Sequence, residues 1–168
     1  MTISMYEVSA PRFINTLKNL SAILDKAQAH AEAKKVEPTV LTSDRFFPDM
    51  LPFTRQVQIA CDSAKGAMAR LAGVEIPKNE DTEHTFAELK ARIATTIAFI
   101  ETFKPAQIDG TEDKDVVLKA RGKETTFKGK QFLLGFAYPN FYFHVTTAYN
   151  LLRHNGVEIG KWDFLGNP

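Results

Sequence analysis

Apolar residues in the first part of the chain recur at alternating steps of four and three. Phe13, Leu17, Leu20, Leu24, Ala27 and Ala31 share one face of a 3.6-residue repeat, which predicts a helix from about Ser9 to Lys34. Ser9 stands at its N-cap and Pro11 in its first turn, where the missing N–H is harmless. Lys34 and Lys35 suit the negative pole at its far end. A loop is expected from Val36 to about Pro48. The next stripe is Phe53, Val57, Ala60, Ala64, Met68 and Leu71, and it predicts a second helix from about Asp49 to Ala72 with Pro52 in the first turn. Gly73 supplies a left-handed end to that helix and Pro77 prevents its resumption. The third helix opens on Thr85-x-x-Glu88, a capping-box pattern. It carries Phe86, Leu89, Ile93, Ile97 and Ile100 on one side and stops before Pro105.

Between Asp115 and Lys130 the period shortens. Val116–Arg121, then Gly122-Lys123, then Glu124–Phe127 predicts two short strands around a glycine-containing turn. A last helix is expected from about Pro139 to Asn155, closed by Asn155-Gly156. The tail beyond is too short to fold alone, so Ile159, Trp162, Phe164 and Leu165 are expected to dock on the helices. Four amphipathic helices bury their stripes best against one another. The expected fold is mainly α: an antiparallel four-helix bundle of up-down order, with a short β-hairpin before the last helix, in one domain over residues 1–168. A hairpin alone is not stable, so it must lean on a helix.

Composition agrees with a globular core and narrows the function. The 168 residues are 44% hydrophobic and 24% charged, and 13 phenylalanines against 4 tyrosines and 1 tryptophan predict a ring-rich interior. A net charge of +1 gives no electrostatic reason to expect nucleic acid or an acidic membrane surface as partner. The single cysteine, Cys61, excludes an intrachain disulfide and a multi-cysteine zinc site, and suits a reducing cytoplasm. No basic-then-apolar leader and no stretch of membrane-spanning length is visible, so a cytoplasmic location is expected.

Chemistry-bearing motifs are scarce. There is no glycine-rich phosphate loop, no G-x-S-x-G elbow and no H-E-x-x-H. His30 and His154 lie near helix C-termini, where an imidazole is favoured by the dipole, and His84 lies in an acidic, solvated stretch. His144 differs, because it shares a helix side with Phe141, Ala148, Leu151 and Leu152 and so points inward. It reads either as a buried imidazole bonded to an amide or hydroxyl, or as a pocket base or metal ligand. On the second helix the inward or flanking polar groups are Gln56, Cys61 and Gln58, and Cys61 by itself reads as an inert buried thiol. Arg55, Gln58 and Asp62 share a polar side with Lys65 nearby, the pattern of a surface ion network. Tyr142 and Tyr149 flank the apolar face of the last helix, with hydroxyls expected at the solvent edge.

Two stretches, FFPDMLPFTRQVQIACDSAKGAMARLAG (residues 46–73) and PNFYFHVTTAYNLLRHNGVEIGKWDFLG (residues 139–166), together with Thr85–Ile93, resemble a branch of the DinB/YfiT-like superfamily catalogued only as a domain of unknown function. The resemblance covers nearly the whole chain. It implies a four-helix bundle in the DinB arrangement, often a homodimer. Many such proteins hold a divalent metal through a histidine on the second helix and an H-x-x-x-H pair on the last long helix, and some are thiol-dependent transferases or isomerases. Here only His144 matches a place in that pattern; Ala148 stands where the second histidine of the pair would fall, and the second helix offers Gln56, Gln58 or Cys61. The resemblance therefore implies a degenerate metal site and no bound cofactor.

Three readings follow. The first is a small-molecule binding bundle, or an enzyme of unknown type, with a pocket between the second and last helices around His144, Gln56, Cys61 and Tyr149 and no metal. The second is a non-catalytic, dimeric interaction or stress-related protein whose exposed aromatics form the interface. The third is a metal-dependent thiol transferase with an unorthodox ligand set.

Overall fold

The computed structural model describes residues 3–120 and 122–166. Four long helices dominate it: α1 (Ala10–Lys34), α3 (Phe53–Ala72), α4 (Phe86–Glu101) and α7 (Tyr138–His154). Shorter helices are α2 (Pro38–Thr42), α5 (Pro105–Ile108), α6 (Gly129–Phe132) and α8 (Lys161–Leu165), with strands β1 (Asp115–Ala120) and β2 (Lys123–Lys128). None of the described helices is long and apolar enough to cross a membrane.

The stripes read from the sequence form the core. Phe13, Leu17, Leu20, Leu24, Ala27 and Ala31 of α1 are all buried, as are Phe53, Val57, Ala60, Ala64, Met68 and Leu71 of α3. Rings meet edge to face, Phe13 on Phe141 at 4.9 Å and Phe53 on Phe86 at 5.9 Å between centroids, the arrangement that aromatic quadrupoles prefer.

The order of the helices departs from a simple up-down bundle. Lys18 pairs with Glu101 and Asp25 with Lys90, so α1 and α4 run antiparallel. Gln56 meets His144 and Ser63 meets Asn140, so α3 and α7 do as well. Phe53 meets Phe86 and Asp62 meets Arg92, so α3 and α4 run parallel. The reason lies in residues 73–85, which carry the chain back along the length of α3 before α4 begins. The N-termini of α3 and α4 therefore lie at the same end.

Several boundaries move for identifiable reasons. Pro52 is the cap of α3 rather than part of its first turn, in extended conformation (ψ 168°), and Phe53 N–H donates to Asp44 O at 2.9 Å. The helix starts at Phe53 instead of Asp49. Ser9 occupies the N-cap of α1, but its hydroxyl donates to Met5 O at 2.6 Å and caps no helix N–H. The capping box of α4 forms as expected, Glu88 N–H to Thr85 Oγ1 at 3.2 Å and Thr85 N–H to Glu88 Oε2 at 2.9 Å.

The hairpin pairs Asp115 with Lys128 through Ala120 with Lys123, so Lys123 belongs to the second strand rather than to the expected turn, and Gly122 before it has φ +72°. Arg121, expected to end the first strand, lies outside the described residues. Val116 is buried and Phe127 meets the rings of Phe132 and Phe136, which gives the hairpin its support. The last helix begins earlier than expected. Helix α6, a π-helical turn at Leu133–Ala137 and α7 are continuous from Gly129 to His154, and Pro139 sits inside this run. A proline there lacks an N–H and presses its ring on the preceding turn, and the wider π turn just before it makes the room. In the tail Ile159 is buried and Phe164 packs on Tyr149, whereas Trp162 is 75% exposed and Leu165 is also exposed, so only half of the expected docking occurs. Asn19 Nδ2 donates to Phe164 O at 3.1 Å and Lys26 bonds Asp163 at 2.6 Å, holding α8 on the polar flank of α1.

Candidate functional site

Packing of α3 against α7 places His144 opposite Gln56. His144 is 8% exposed and its Nδ1 lies 2.7 Å from Gln56 Oε1. Gln56 Nε2 donates to Leu51 O at 2.9 Å, which fixes the amide with its oxygen towards the ring. Nδ1 is therefore the protonated nitrogen of the neutral imidazole, and Nε2 carries the lone pair. Among the described residues Nε2 has no hydrogen-bond partner. Burial, and then the charge of Arg55, hold the imidazole pKa below its usual value, so the ring is neutral near pH 7.

The other two anticipated residues stand apart from this pair. Cys61 is fully buried, and burial pushes its thiol up to about 12, which disfavours the thiolate. Tyr149 faces the tail, with its ring on Phe164 and its hydroxyl 3.5 Å from Ile159 O. His144, Gln56, Cys61 and Tyr149 line neither of the clefts described below.

The polar side of α3 became something other than a surface network. Gln58 and Lys65 are buried, and so is Arg92 on α4. Arg92 lies 3.0 Å from each of three carboxylates, Asp62 on α3 and Asp81 and Glu83 on the returning segment, and its Nη1 donates to Glu80 O at 3.1 Å. Gln58 Nε2 donates to Glu83 Oε2 at 2.8 Å, Arg55 Nη1 donates to Gln58 Oε1 at 2.8 Å, and Arg55 pairs with Asp81. Lys65 pairs with Asp62 at 3.0 Å. Burial raises the Asp81 carboxyl, but the bond to Arg55 and the charges of Arg55 and Arg92 outweigh it and hold it below the usual carboxylate range. Arg92 is likewise penalised by burial, yet its acidic neighbours raise it above its ordinary value.

The acidic run at 79–83, expected to be solvated, is thus partly tied to the bundle. Asp81, Glu83 and Arg92 were missed by sequence reasoning. A signal was present: Arg92 falls within the apolar stripe of α4, three residues after Leu89 and one before Ile93. A cation on a core face needs carboxylates, and the acidic run directly precedes the helix.

The returning segment borders two clefts. One, of about 460 Å³, lies at the shared N-terminal end of α3 and α4. Its walls are Thr39, Thr42 and Ser43 of and after α2, Thr54, Arg55 and Gln58 of α3, and Asp81, Glu83 and His84 of the segment, with Arg45 at the rim. The other, of about 650 Å³, lies towards the far end of α3, around Gly66 and Arg70.

The donor set does not fit the resident metal that the superfamily resemblance implies. His144 is its one imidazole, Gln56 is already bonded to it and Ala148 offers no ligand. Among the described residues no three His, Cys, Asp or Glu side chains converge as a metal site.

Comparison with known proteins places this geometry in a family. A crystallised DinB family member from Shewanella denitrificans is 45% identical, the match covering 97% of this chain and 92% of that one with a TM-score of 0.92. Comparison with curated proteins finds no match. The model of a family described as a domain of unknown function, DUF1993, matches residues 5–165, and the chain belongs to that family, with a DinB-like fold.

Proposed function

We propose that the protein is a metal-independent small-molecule-binding bundle whose ligand occupies the cleft at the shared N-terminal end of α3 and α4. The supporting observation is the position of Arg55. It lines the cleft, it is held in place by Gln58 and Asp81, and its charge reaches the neutral His144 packed on α3. The volume of about 460 Å³ falls within the range of small-molecule sites. Arg45 and Arg55 oppose Asp81 and Glu83, and the hydroxyls of Thr39, Thr54 and Ser43 line the wall. Two helix N-termini add partial positive charge. This chemistry suits a zwitterionic or hydroxylated carboxylate, bound by its acid group at Arg55 and by its donors at Asp81 and Glu83. The His144–Gln56 pair supports the first turns of α3 from behind. The test is an NMR screen with free amino acids and hydroxy acids. The expected result is saturable shifts at Thr54, Arg55 and His84, lost in Arg55→Ala; shifts that map elsewhere, or binding undiminished in Arg55→Ala, would refute the reading.

A second reading, self-association, is favoured by a row of exposed apolar side chains. Phe47 is 63% exposed and Phe143 57%, with Phe46 and Leu51 also exposed. Leu51 O is bonded by Gln56 and Phe143 abuts His144, so both flank the α3–α7 seam, and Phe46 lies against His154 farther along α7. Isolated exposed apolar residues are ordinary, but Phe46, Leu51 and Phe143 exposed along α7 and its seam with α3 suit an interface, here with a second copy of the chain. Light scattering at rising concentration should report a dimer that Phe47→Asp with Phe143→Asp dissociates. A strict monomer in the wild type removes the reading.

A further inference from the structure

The second cleft carries an observation that the proposed ligand site does not use. Arg70 lies on α3, half-buried, and among the described residues its guanidinium has no carboxylate partner and no hydrogen bond. Every other arginine on α3 and α4, Arg55 and Arg92, is paired. Burial without a counter-charge disfavours the cation and holds its pKa below the ordinary value.

Room for this side chain is made one turn earlier. Gly66 is a buried glycine inside α3, where glycine is normally disfavoured. A Cβ at that position would come within 2.5 Å of Arg70 Nη1, so the guanidinium lies folded back across the bare backbone of Gly66. Around it the cleft of about 650 Å³ is walled by Lys65, Lys78 and Asn79, with Asp62 and Glu80 as its carboxylates. Asp62 is already shared by Lys65 and Arg92. With Lys65 and Asp62 paired, the lining leaves two cations, Arg70 and Lys78, against one carboxylate, Glu80. A guanidinium presents its donors as a rigid fork matched to two oxygens of one anion.

We propose that this cleft is a second binding site, for an oxyanion on a small molecule, a phosphate or carboxylate group held by the Arg70 fork over Gly66 with Lys78 and Asn79 at the rim. It is distinct from the Arg55 cleft, with which it shares no lining residue.

The test is a titration of the intact chain with inorganic phosphate and, separately, with acetate, at constant ionic strength, following the Arg70 Nε–Hε signal and the amides of residues 76–80 by NMR. A saturable shift with one or both anions is expected, and the anion that saturates identifies the group. Arg70→Gln should lower the affinity at least tenfold, and Gly66→Ala, which displaces the guanidinium, should do so while Arg70 is kept. Arg70→Lys, retaining charge without the fork, should fall between wild type and Arg70→Gln. Amide spectra that match the wild type outside the cleft establish that each variant is folded. A linear, unsaturated response to both anions, or affinity unchanged in Arg70→Gln, overturns the proposal. Loss of binding at Arg55 leaves these outcomes untouched, so the two sites fail separately.

Discussion

His144 donates its Nδ1 hydrogen to Gln56 Oε1 across 2.7 Å, joining residues 88 positions apart in the chain. The bond defines the tautomer, and the inward histidine becomes a strut between α3 and α7, its remaining nitrogen unengaged among the described residues.

The titration of His144 should therefore be displaced and should depend on Arg55. Its pKa is expected below the ordinary value of about 6.5, and Arg55→Gln should raise it, since one of the two depressing influences is gone. The sign for stability follows. The unfolded chain binds the proton more readily, so this contribution is complete above about pH 6.5 and is lost as pH falls towards the lower folded pKa. An NMR titration of the imidazole in both proteins checks it; identical midpoints would refute the role of Arg55.

Arg92→Ala should be among the most damaging substitutions on α4. It leaves Asp62, Asp81 and Glu83 without their shared cation and Glu80 O without a donor. Removing one partner of a buried pair costs about 3–5 kcal/mol, and the lower end applies because the carboxylates reach water. Urea unfolding measures the loss. Hydrogen exchange should show the amides of residues 76–83 losing protection more than those of α1.

Acid should loosen the same segment. Asp81 titrates below the usual carboxylate range because Arg55 and Arg92 overcome its burial. Its contribution is present above the unfolded value of about 3.9 and disappears as pH falls through the folded pKa. Limited proteolysis with an acid-active protease between pH 4.5 and pH 2.5 should cut within residues 74–84 first. Asp81→Asn should already be cut at pH 4.5, and equal resistance of the two proteins would contradict the assignment.

Two glycines near the hairpin should respond oppositely to alanine. A Cβ at Gly129 would overlap the Thr111 carbonyl oxygen and press on Leu71, so Gly129→Ala is expected to cost about 3 kcal/mol. A Cβ at Gly135, in the helical run, meets none of the described residues within 4 Å apart from its own helix's backbone, and Gly135→Ala should be neutral or stabilise by about 0.5 kcal/mol. Thermal melts of the pair settle the contrast.

Periodicity by itself determined where the four long helices lie, which face of each is buried and that a hairpin precedes the last of them, because those properties depend on neighbours three, four or two residues away. The stripes of α1, α3 and α4, the Thr85–Glu88 box and the inward position of His144 were all legible on that basis. The parallel run of α3 and α4 was not, since direction depends on the path of residues 73–85, which carry no regular structure. Nor was the fate of the polar groups. Arg55, Gln58 and Asp62 share a face in the sequence, but Arg55 pairs with Asp81 and Asp62 with Arg92 and Lys65. The partners of a charge are chosen by which distant segment lies over it, and only the tertiary structure brings those segments together. Arg70 is the same rule seen from the other side: Gly66 makes room for its guanidinium locally, while the cleft's carboxylates, Asp62 and Glu80, form no ion pair with it among the described residues, which is a fact of packing.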